Sequence, residues 1–347
     1  MSEPEPRRMV TSHWVRFLGG LGVTALCLWL VLRHVRIDQV TGATRGIRWP
    51  WLLAASIALT GGYMARIHRW WWMLRLCNPS VRWTSCIWPL LVGFAVNNVV
   101  PFRAGDALRI VGFRKDLNTP AMGILGSLVV ERLLDVTILL AFFLVGMFDL
   151  RNTGLSKIYF HTAVAVASMG ALAWTMLLWN SDKVESLLIR ICRAKFFGSR
   201  NVNMSAEPAI RQLFRSLSVV RVPGATIGLL SISAVVWLCE GGIFAAVAVS
   251  FHYAGRAIGP WFALASGSLA TMLPSSPGYV GTFDLFTTSA FTTYGVDRAV
   301  AVATALVVHI VLWVPITVAG LGYLLFISLR RHRSRLTARP VQEEEHP

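Results

Sequence analysis

Nine long apolar stretches fill most of the 347-residue chain and restrict its fold more than any other sequence feature. A helical membrane span needs about 20 apolar residues, and lipid offers no partner to an unpaired backbone amide or carbonyl. We therefore expect an all-α integral membrane protein. The stretches are Phe17–Leu32, Trp49–Ala65, Trp83–Phe102, Leu117–Phe148, Ile158–Asn180, Val222–Phe251, Ile258–Phe283, Leu285–Tyr294 and Ala299–Leu329.

The composition agrees with this expectation and excludes several other classes. Only 14% of the residues are charged and 55% are hydrophobic, whereas about 25% of the residues in a soluble domain are charged. A soluble enzyme, a disordered chain and a secreted disulfide scaffold are therefore excluded. The five cysteines are scattered without metal-type pairing, so we interpret them as reduced and structural.

The net charge of +16 is compatible with a nucleic acid partner. The basic residues, however, lie between the apolar stretches, where they determine topology and contact anionic headgroups. We therefore expect membrane lipids, chiefly anionic phospholipids, as partners and no nucleic acid.

Two of the stretches contain residues that break helices. Asn97–Pro101 ends the third stretch, and Pro274–Gly281 divides the region from Ile258 to Tyr294. Broken helices within a membrane mark a cavity or a binding site. We call these segments the first break and the second break.

The distribution of lysine and arginine predicts the topology. If both broken segments are re-entrant, the chain has six full spans and both termini are cytoplasmic. Phe17–Leu32 is then an uncleaved first span in the cytoplasmic (inner) membrane, because no small-residue cleavage site follows it. The predicted organisation is a tail over 1–13, a membrane domain over 14–329 with a basic cytoplasmic loop over 181–222, and a tail over 330–347.

Short similar motifs follow the two breaks. Pro101 precedes Gly105 and Asp106, and Pro277 precedes Gly281 and Asp284. In the re-entrant topology the two segments enter from opposite sides, so the domain is interpreted as an inverted repeat.

The first break supplies polar candidates for binding an anion. An arginine guanidinium is a permanently charged planar fork that suits phosphate, and an asparagine side chain can satisfy backbone groups freed by a helix break. The alternative is that the arginines are ordinary interfacial charges. The candidates are Asn97, Asn98, Arg103, Asp106 and Arg109.

Charged residues within later stretches form a second group of candidates. Glu131 and Asp135 share a helix face, with Arg132 within reach of Asp135. Glu240 lies in the middle of its stretch, where we expect it to pair with Arg132 or to be protonated. Such charges line a polar path or, alternatively, lock helices together.

The second break supplies Ser275, Ser276, Gly278, Gly281 and Asp284. Its glycines permit close backbone approach, and a following helix N-terminus favours an anion; the alternative is a plain kink. We interpret His309 as a packing or inter-helix hydrogen-bond residue, the alternative being a proton carrier. We interpret the segment around Arg66, His68 and Arg69 as an interface anchor. No nucleophile triad, metal-ligand spacing or nucleotide fingerprint occurs, so we expect no catalytic residue, metal or cofactor.

The order of these motifs resembles the transmembrane region of lysylphosphatidylglycerol synthases, also called the flippase-like domain family. The motifs are Asn97-x-x-x-Pro101-x-Arg103-x-Gly105-Asp106-x-x-Arg109, Glu131-Arg132-x-x-Asp135, Glu240 and Pro274-x-x-Pro277-Gly278-x-x-Gly281-x-x-Asp284. The resemblance covers about residues 10–330, with Asp106 and Asp284 where the family often has glutamate.

The resemblance implies that the protein moves lipids or lipid-linked headgroups between leaflets. No soluble aminoacyl-transferase domain follows the membrane domain, so we expect a transporter-like protein and not a lipid-modifying enzyme. The alternative is a non-transporting membrane partner of a lipid or glycolipid biosynthetic enzyme.

Overall fold

The computed structural model describes residues 22, 24–33, 37–44, 46–101, 103–150, 165, 168, 181–193, 200–253, 255–272 and 276–337. Every regular element in these ranges is helical, which confirms the all-α class. The predicted span Ile158–Asn180 and the predicted tails fall wholly or largely outside the described residues.

The helices are numbered here in chain order, together with two short 3-10 turns. They are α1 (24–32), α2 (Ile37–Thr44), α3 (Trp49–Cys77), α4 (Trp83–Val99), α5 (Ala104–Gly112), α6 (Ala121–Leu150), α7 (Ser181–Arg193), α8 (Arg200–Leu217), α9 (Pro223–Ser250), α10 (Gly259–Ala270), α11 (Thr282–Thr293) and α12 (Arg298–Thr337). The 3-10 turns are Ser218–Arg221 and Pro277–Tyr279.

Three described helices are long and apolar enough to cross a membrane. They are α6, α9 and the Arg298–Arg330 part of α12. The protein is therefore an all-α membrane protein, while the number of spans and the re-entrant path stay predictions. Helix α3 begins at Trp49 as predicted but continues past Ala65 to Cys77.

The outer surface of the helices is apolar, as a lipid-facing surface must be. On α12 the exposed side chains Ile310, Val314, Val318, Leu321 and Leu325 recur every three or four residues, which is the spacing of one helix face. The interior is also apolar, with Phe244, Phe283 and Phe291 buried in one cluster. Several charged side chains of these helices, such as Arg69, Glu131 and Asp135, are buried between the helices.

Both predicted breaks interrupt a helix. The first separates α4 from α5, and the second, with its 3-10 turn, separates α10 from α11. The two breaks meet inside the protein, because a Cβ atom on Gly278 would lie 3.2 Å from the carbonyl oxygen of Asn98. The fold thus brings together two polar segments that are far apart in sequence.

The basic loop predicted over 181–222 contains two amphipathic helices, α7 and α8. Ser216 on α8 packs closely on α6, since a Cβ atom on Gly126 would lie 2.5 Å from the Ser216 Cβ. The salt bridges of these helices, such as that between Arg211 and Glu207 at 2.8 Å, are exposed.

Candidate functional site

A cavity of about 140 Å³ lies beside the first break, and Tyr279 of the second break forms part of its wall. Its polar walls contain seven of the residues predicted from the sequence: Asn97, Asn98, Arg103, Asp106, Arg132, Asp135 and Glu240. Six aromatic side chains also line it, namely Tyr63, Phe94, Trp237, Tyr279, Phe283 and Trp313. A cleft that combines apolar and aromatic walls with convergent polar groups is typical of a binding site.

Two carboxylates of α6 anchor an arginine network beside this cavity. The Arg109 guanidinium donates to Glu131 at 3.1 Å. Arg132 lies 3.3 Å from Glu131 and 3.7 Å from Asp135. The predicted contact between Arg132 and Asp135 is thus present, and Arg132 bridges both carboxylates.

Arg109 and Arg132 differ in their access to the cavity. The Arg109 side chain is 1% exposed, and its guanidinium carbon lies 4.1 Å from the centre of the Trp70 ring. The Arg132 side chain is 32% exposed and forms part of the cavity wall. Arg132 is therefore available to a ligand, whereas Arg109 is held behind the wall.

Asp135 also forms an ion pair with an arginine of α3. Arg69 donates to the Asp135 carboxylate at 2.7 Å and to the Ser233 hydroxyl at 2.9 Å. The Trp237 indole also donates to the same carboxylate oxygen, at 3.0 Å. This buried ion pair joins α3, α6 and α9, so it locks helices together as well as placing charge beside the cavity.

The partner of Glu240 differs from the expectation. Its carboxylate accepts a hydrogen bond from Arg66 on α3, and not from Arg132. The Arg66 guanidinium also lies 5.0 Å from the centre of the Trp237 ring. Arg132 is occupied by the two carboxylates nearest to it on its own helix, which explains why a different helix supplies the partner.

The first break is held by an asparagine cap and two glycines. The Asn97 side-chain oxygen accepts from the backbone amides of Gly105 at 2.8 Å and Asp106 at 3.3 Å. A Cβ atom on Gly105 would lie only 1.8 Å from the carbonyl oxygen of Gly93, so α4 and α5 touch through their backbones. Asn97 therefore provides the hydrogen-bond acceptor for two backbone amides at the start of α5, as expected for a helix break.

Asn98 and Asp106 are placed differently from Asn97. The Asn98 side-chain amide donates to Thr317 on α12 at 2.9 Å. Asp106 accepts from Asn97 at 3.1 Å and lies 3.9 Å from Arg132. Asn98 thus ties the end of α4 to α12, while Asp106 completes the charge network.

Arg103 lies at the start of α5 with a left-handed backbone, φ 54° and ψ 40°. This conformation is uncommon for a residue other than glycine, and such strained residues cluster at functional sites. The side chain is half-buried in the cavity wall. Among the described residues no carboxylate pairs with it, in contrast to the other four arginines of the site.

The site carries a small excess of positive charge. Five arginines (Arg66, Arg69, Arg103, Arg109 and Arg132) meet four carboxylates (Asp106, Glu131, Asp135 and Glu240). With all of these groups ionised, the excess is one positive charge, located at Arg103. The described residues contain no cluster of three or more metal-ligand side chains.

Side chains in and next to the second break form hydrogen bonds with the backbone of the same segment. The Asp284 carboxylate accepts from the Gly281 amide at 2.9 Å and faces the His309 ring at 2.8 Å. The Ser276 hydroxyl lies within 3.4 Å of two carbonyl oxygens of the same segment. Ser275 lies outside the described residues. Gly281 has φ 88°, a conformation that favours glycine.

The polar interior contains further residues that were not selected from the sequence, among them Arg66, Arg69, Trp237 and His309. Arg66 and Arg69 were interpreted as part of an interface anchor, but they are buried and paired across helices. Their spacing of three residues places them on one helix face. The adjacent tryptophans Trp70–Trp72 are typical of a membrane interface, and for this reason the two arginines were interpreted as interfacial.

The chain was compared with known proteins. A family model described as "Lysylphosphatidylglycerol synthase TM region" matches residues 17–320. The glycosyltransferase AglD of Haloferax volcanii is 25% identical over 369 aligned positions, which cover 96% of this chain and 58% of the relative. No solved structure matches the chain significantly. Because the family match spans both breaks and the whole arginine network, the chain belongs to the lysylphosphatidylglycerol synthase TM region family.

Proposed function

We propose that the protein translocates a lipid or a lipid-linked headgroup across the cytoplasmic membrane, with the anionic part of the headgroup bound in the cavity beside Arg103. The observation that carries this proposal is the positive charge of Arg103, which pairs with no carboxylate among the described residues, in the wall of a cavity between apolar helices. A charge without an internal partner in such a place is costly. A bound anion would remove that cost.

Arg132 would be the second contact of the anion. Its guanidinium is partly exposed to the cavity and shares its charge among Asp106, Glu131 and Asp135. The binding of an anion would draw it away from these carboxylates, which retain Arg69 and Arg109 as partners. Arg109 would act by positioning Glu131, since it is buried behind the wall.

The size and lining of the cavity favour a headgroup over a whole lipid. A volume of about 140 Å³ lies well below the roughly 300–1,000 Å³ of pockets that enclose drug-sized ligands. The acyl or polyprenyl chains would remain in lipid along the apolar outer faces. The aromatic rings of Tyr279 and Trp313 offer flat surfaces to an uncharged part of the headgroup.

A non-transporting partner of a glycolipid biosynthetic enzyme is the second candidate. It is favoured by the name of the relative, a glycosyltransferase, which is longer than this chain. A partner protein would bind the lipid-linked headgroup without moving it. Co-purification of an enzyme together with the absence of lipid movement in vesicles would support this candidate.

The experiment compares Arg103→Gln, Arg103→Lys and wild-type protein reconstituted in phosphatidylcholine vesicles. The movement of fluorescent phosphatidylglycerol is followed beside that of fluorescent phosphatidylcholine. A hydrogen bond to a charged group contributes about 1.5–3 kcal/mol, so Arg103→Gln should weaken anionic headgroup binding by about one to two decades. Arg103→Lys should bind the anionic headgroup with intermediate affinity, because lysine keeps the positive charge but lacks the planar guanidinium.

The matched control is Arg75→Gln, which removes an exposed arginine at the end of α3. It should alter neither lipid retention, measured by mass spectrometry of the purified protein, nor translocation. If Arg103→Gln moves phosphatidylglycerol as fast as the wild type at equal protein level, Arg103 is not part of the site.

A further inference from the structure

The second break is attached to α12 by one histidine that lies outside the arginine network. The Nδ1 atom of His309 lies 2.8 Å from an Asp284 carboxylate oxygen, and its Nε2 atom lies 3.1 Å from the carbonyl oxygen of Gly278. The other oxygen of Asp284 accepts from the Gly281 amide. His309 thus bridges both ends of the Gly278–Gly281 segment.

The number of protons in this arrangement follows from the acceptors. A backbone carbonyl and an ionised carboxylate only accept hydrogen bonds, and a neutral imidazole carries a single N–H. A neutral ring beside an ionised Asp284 would therefore leave one nitrogen lone pair facing an oxygen. Both contacts are satisfied only when the pair holds one further proton, as imidazolium with carboxylate or as imidazole with carboxylic acid.

The surroundings of the pair are largely apolar. The side chains of His309 and Asp284 are 13% and 3% exposed, and the ring of His309 packs against Phe283 and Trp313, with centroids 5.1 and 4.2 Å away. With the further proton the pair is neutral overall, whereas without it the pair carries a buried negative charge, which is costly.

Among the described residues, few other ionisable groups lie on the elements packed against the pair. The packed helices contribute Cys27 on α1, Asp38 on α2, Arg66 on α3 and Glu240 on α9, while Tyr279 lies in the break itself; Arg66 and Glu240 neutralise each other. Helices α4 and α10 carry no charged side chain.

The backbone of the break is left-handed where His309 contacts it. Gly278 has φ 69° and Tyr279, which is not a glycine, has φ 59°. A left-handed backbone at such a residue persists only when its surroundings impose it. The hydrogen bond from His309 to the Gly278 carbonyl is one such restraint.

We propose that Asp284 and His309 form a proton-binding site that latches the second break to α12 while the proton is bound. When the proton leaves to the aqueous phase, one of the two His309 contacts is lost and the break is released. Tyr279, Phe283 and Trp313 line the cavity next to the latch, so the release loosens the cavity wall. This site goes beyond the proposed lipid translocation and stands on geometry that does not depend on it.

The proton is observed directly by nuclear magnetic resonance of the protein in lipid nanodiscs, with ¹⁵N-labelled histidine and ¹³C-carboxyl-labelled aspartate. His309→Gln and Asp284→Asn assign the two signals by difference. At neutral pH we expect either a doubly protonated His309 ring or a singly protonated ring beside a protonated Asp284. A singly protonated ring beside an ionised Asp284 would overturn the proposal.

Hydrogen exchange of the segment 277–283 tests the latch itself. After correction for the intrinsic pH dependence of exchange, the segment should exchange on the order of tenfold faster above the pH at which the proton is lost. His309→Gln should exchange fast at every pH, and the matched control His68→Gln, which removes an exposed histidine of α3, should behave as the wild type.

Equal protection of 277–283 in wild type and His309→Gln across the pH range would show that the histidine does not hold the break. Neither measurement involves lipid movement. A failure of this proposal is therefore distinguishable from a failure of the proposed translocation.

Discussion

Arg66 on α3 pairs with Glu240 on α9, which places a largely buried ion pair between two helices that are far apart in sequence. The Arg66 guanidinium also lies over the Trp237 ring, at 5.0 Å from its centre. Both charged side chains line the cavity. Their pairing therefore joins α3 to α9 in the wall of the cavity.

The loss of Arg66 should destabilise the protein strongly. Arg66→Ala leaves Glu240 buried without a partner, which typically costs about 3–5 kcal/mol when one member of a buried pair is removed. Adding Glu240→Gln removes the unpaired charge and should restore part of the stability. Thermal unfolding in detergent, followed by gel filtration, measures both effects.

The control for this pairing is Arg132→Ala, alone and with Glu240→Gln. Because Arg132 contacts Glu131 and Asp135 and not Glu240, the second substitution should give no recovery there. Recovery in the Arg132 background, but not in the Arg66 background, would contradict the pairing seen in the structure.

Arg109→Lys should be destabilising although the charge is kept. The guanidinium contacts Glu131 through two nitrogens, at 3.1 and 3.5 Å, and lies over Trp70. A lysine loses both the fork and the stacking, so we expect a loss of about 1–3 kcal/mol. The measurement is the shift in thermal midpoint, and an unchanged midpoint would show that the point charge alone is sufficient.

Gly105→Ala should disrupt the first break. The added Cβ atom would lie 1.8 Å from the Gly93 carbonyl oxygen, so α5 must move away from α4 and Arg103 moves with it. We expect both a lower thermal midpoint and weaker retention of anionic lipid. Gly224→Ala is the matched control, since a Cβ atom there meets no atom within 4 Å.

The topology prediction is tested by labelling single cysteines in a cysteine-free background. With both broken segments re-entrant, Asn118 and the basic loop are cytoplasmic. Asn118→Cys and Ser186→Cys, both at exposed positions, should react with a membrane-impermeant reagent only after the membrane is opened. Labelling of Ser186→Cys from outside intact cells would overturn the re-entrant topology.

The sequence by itself determined the class of the protein and the position of its breaks. Apolar stretches of span length force helices, because lipid leaves an unpaired backbone group no partner. Proline, glycine and asparagine interrupt those helices through local backbone chemistry, so Asn97–Pro101 and Pro274–Gly281 were recognisable without any tertiary contact. The pair Arg132 and Asp135 was also predictable, since both residues lie on one helix.

Only the tertiary structure decided which charges meet across helices. The partners of Glu240, Asp135 and Asp284 are Arg66, Arg69 and His309, and in each pair the two residues come from different helices. Helix periodicity says which residues share a face, but the rotation and packing of each helix decide which faces meet. For the same reason Arg109 and Arg132 differ in their access to the cavity: Arg109 is 1% exposed and lies over the Trp70 ring, whereas Arg132 forms part of the cavity wall.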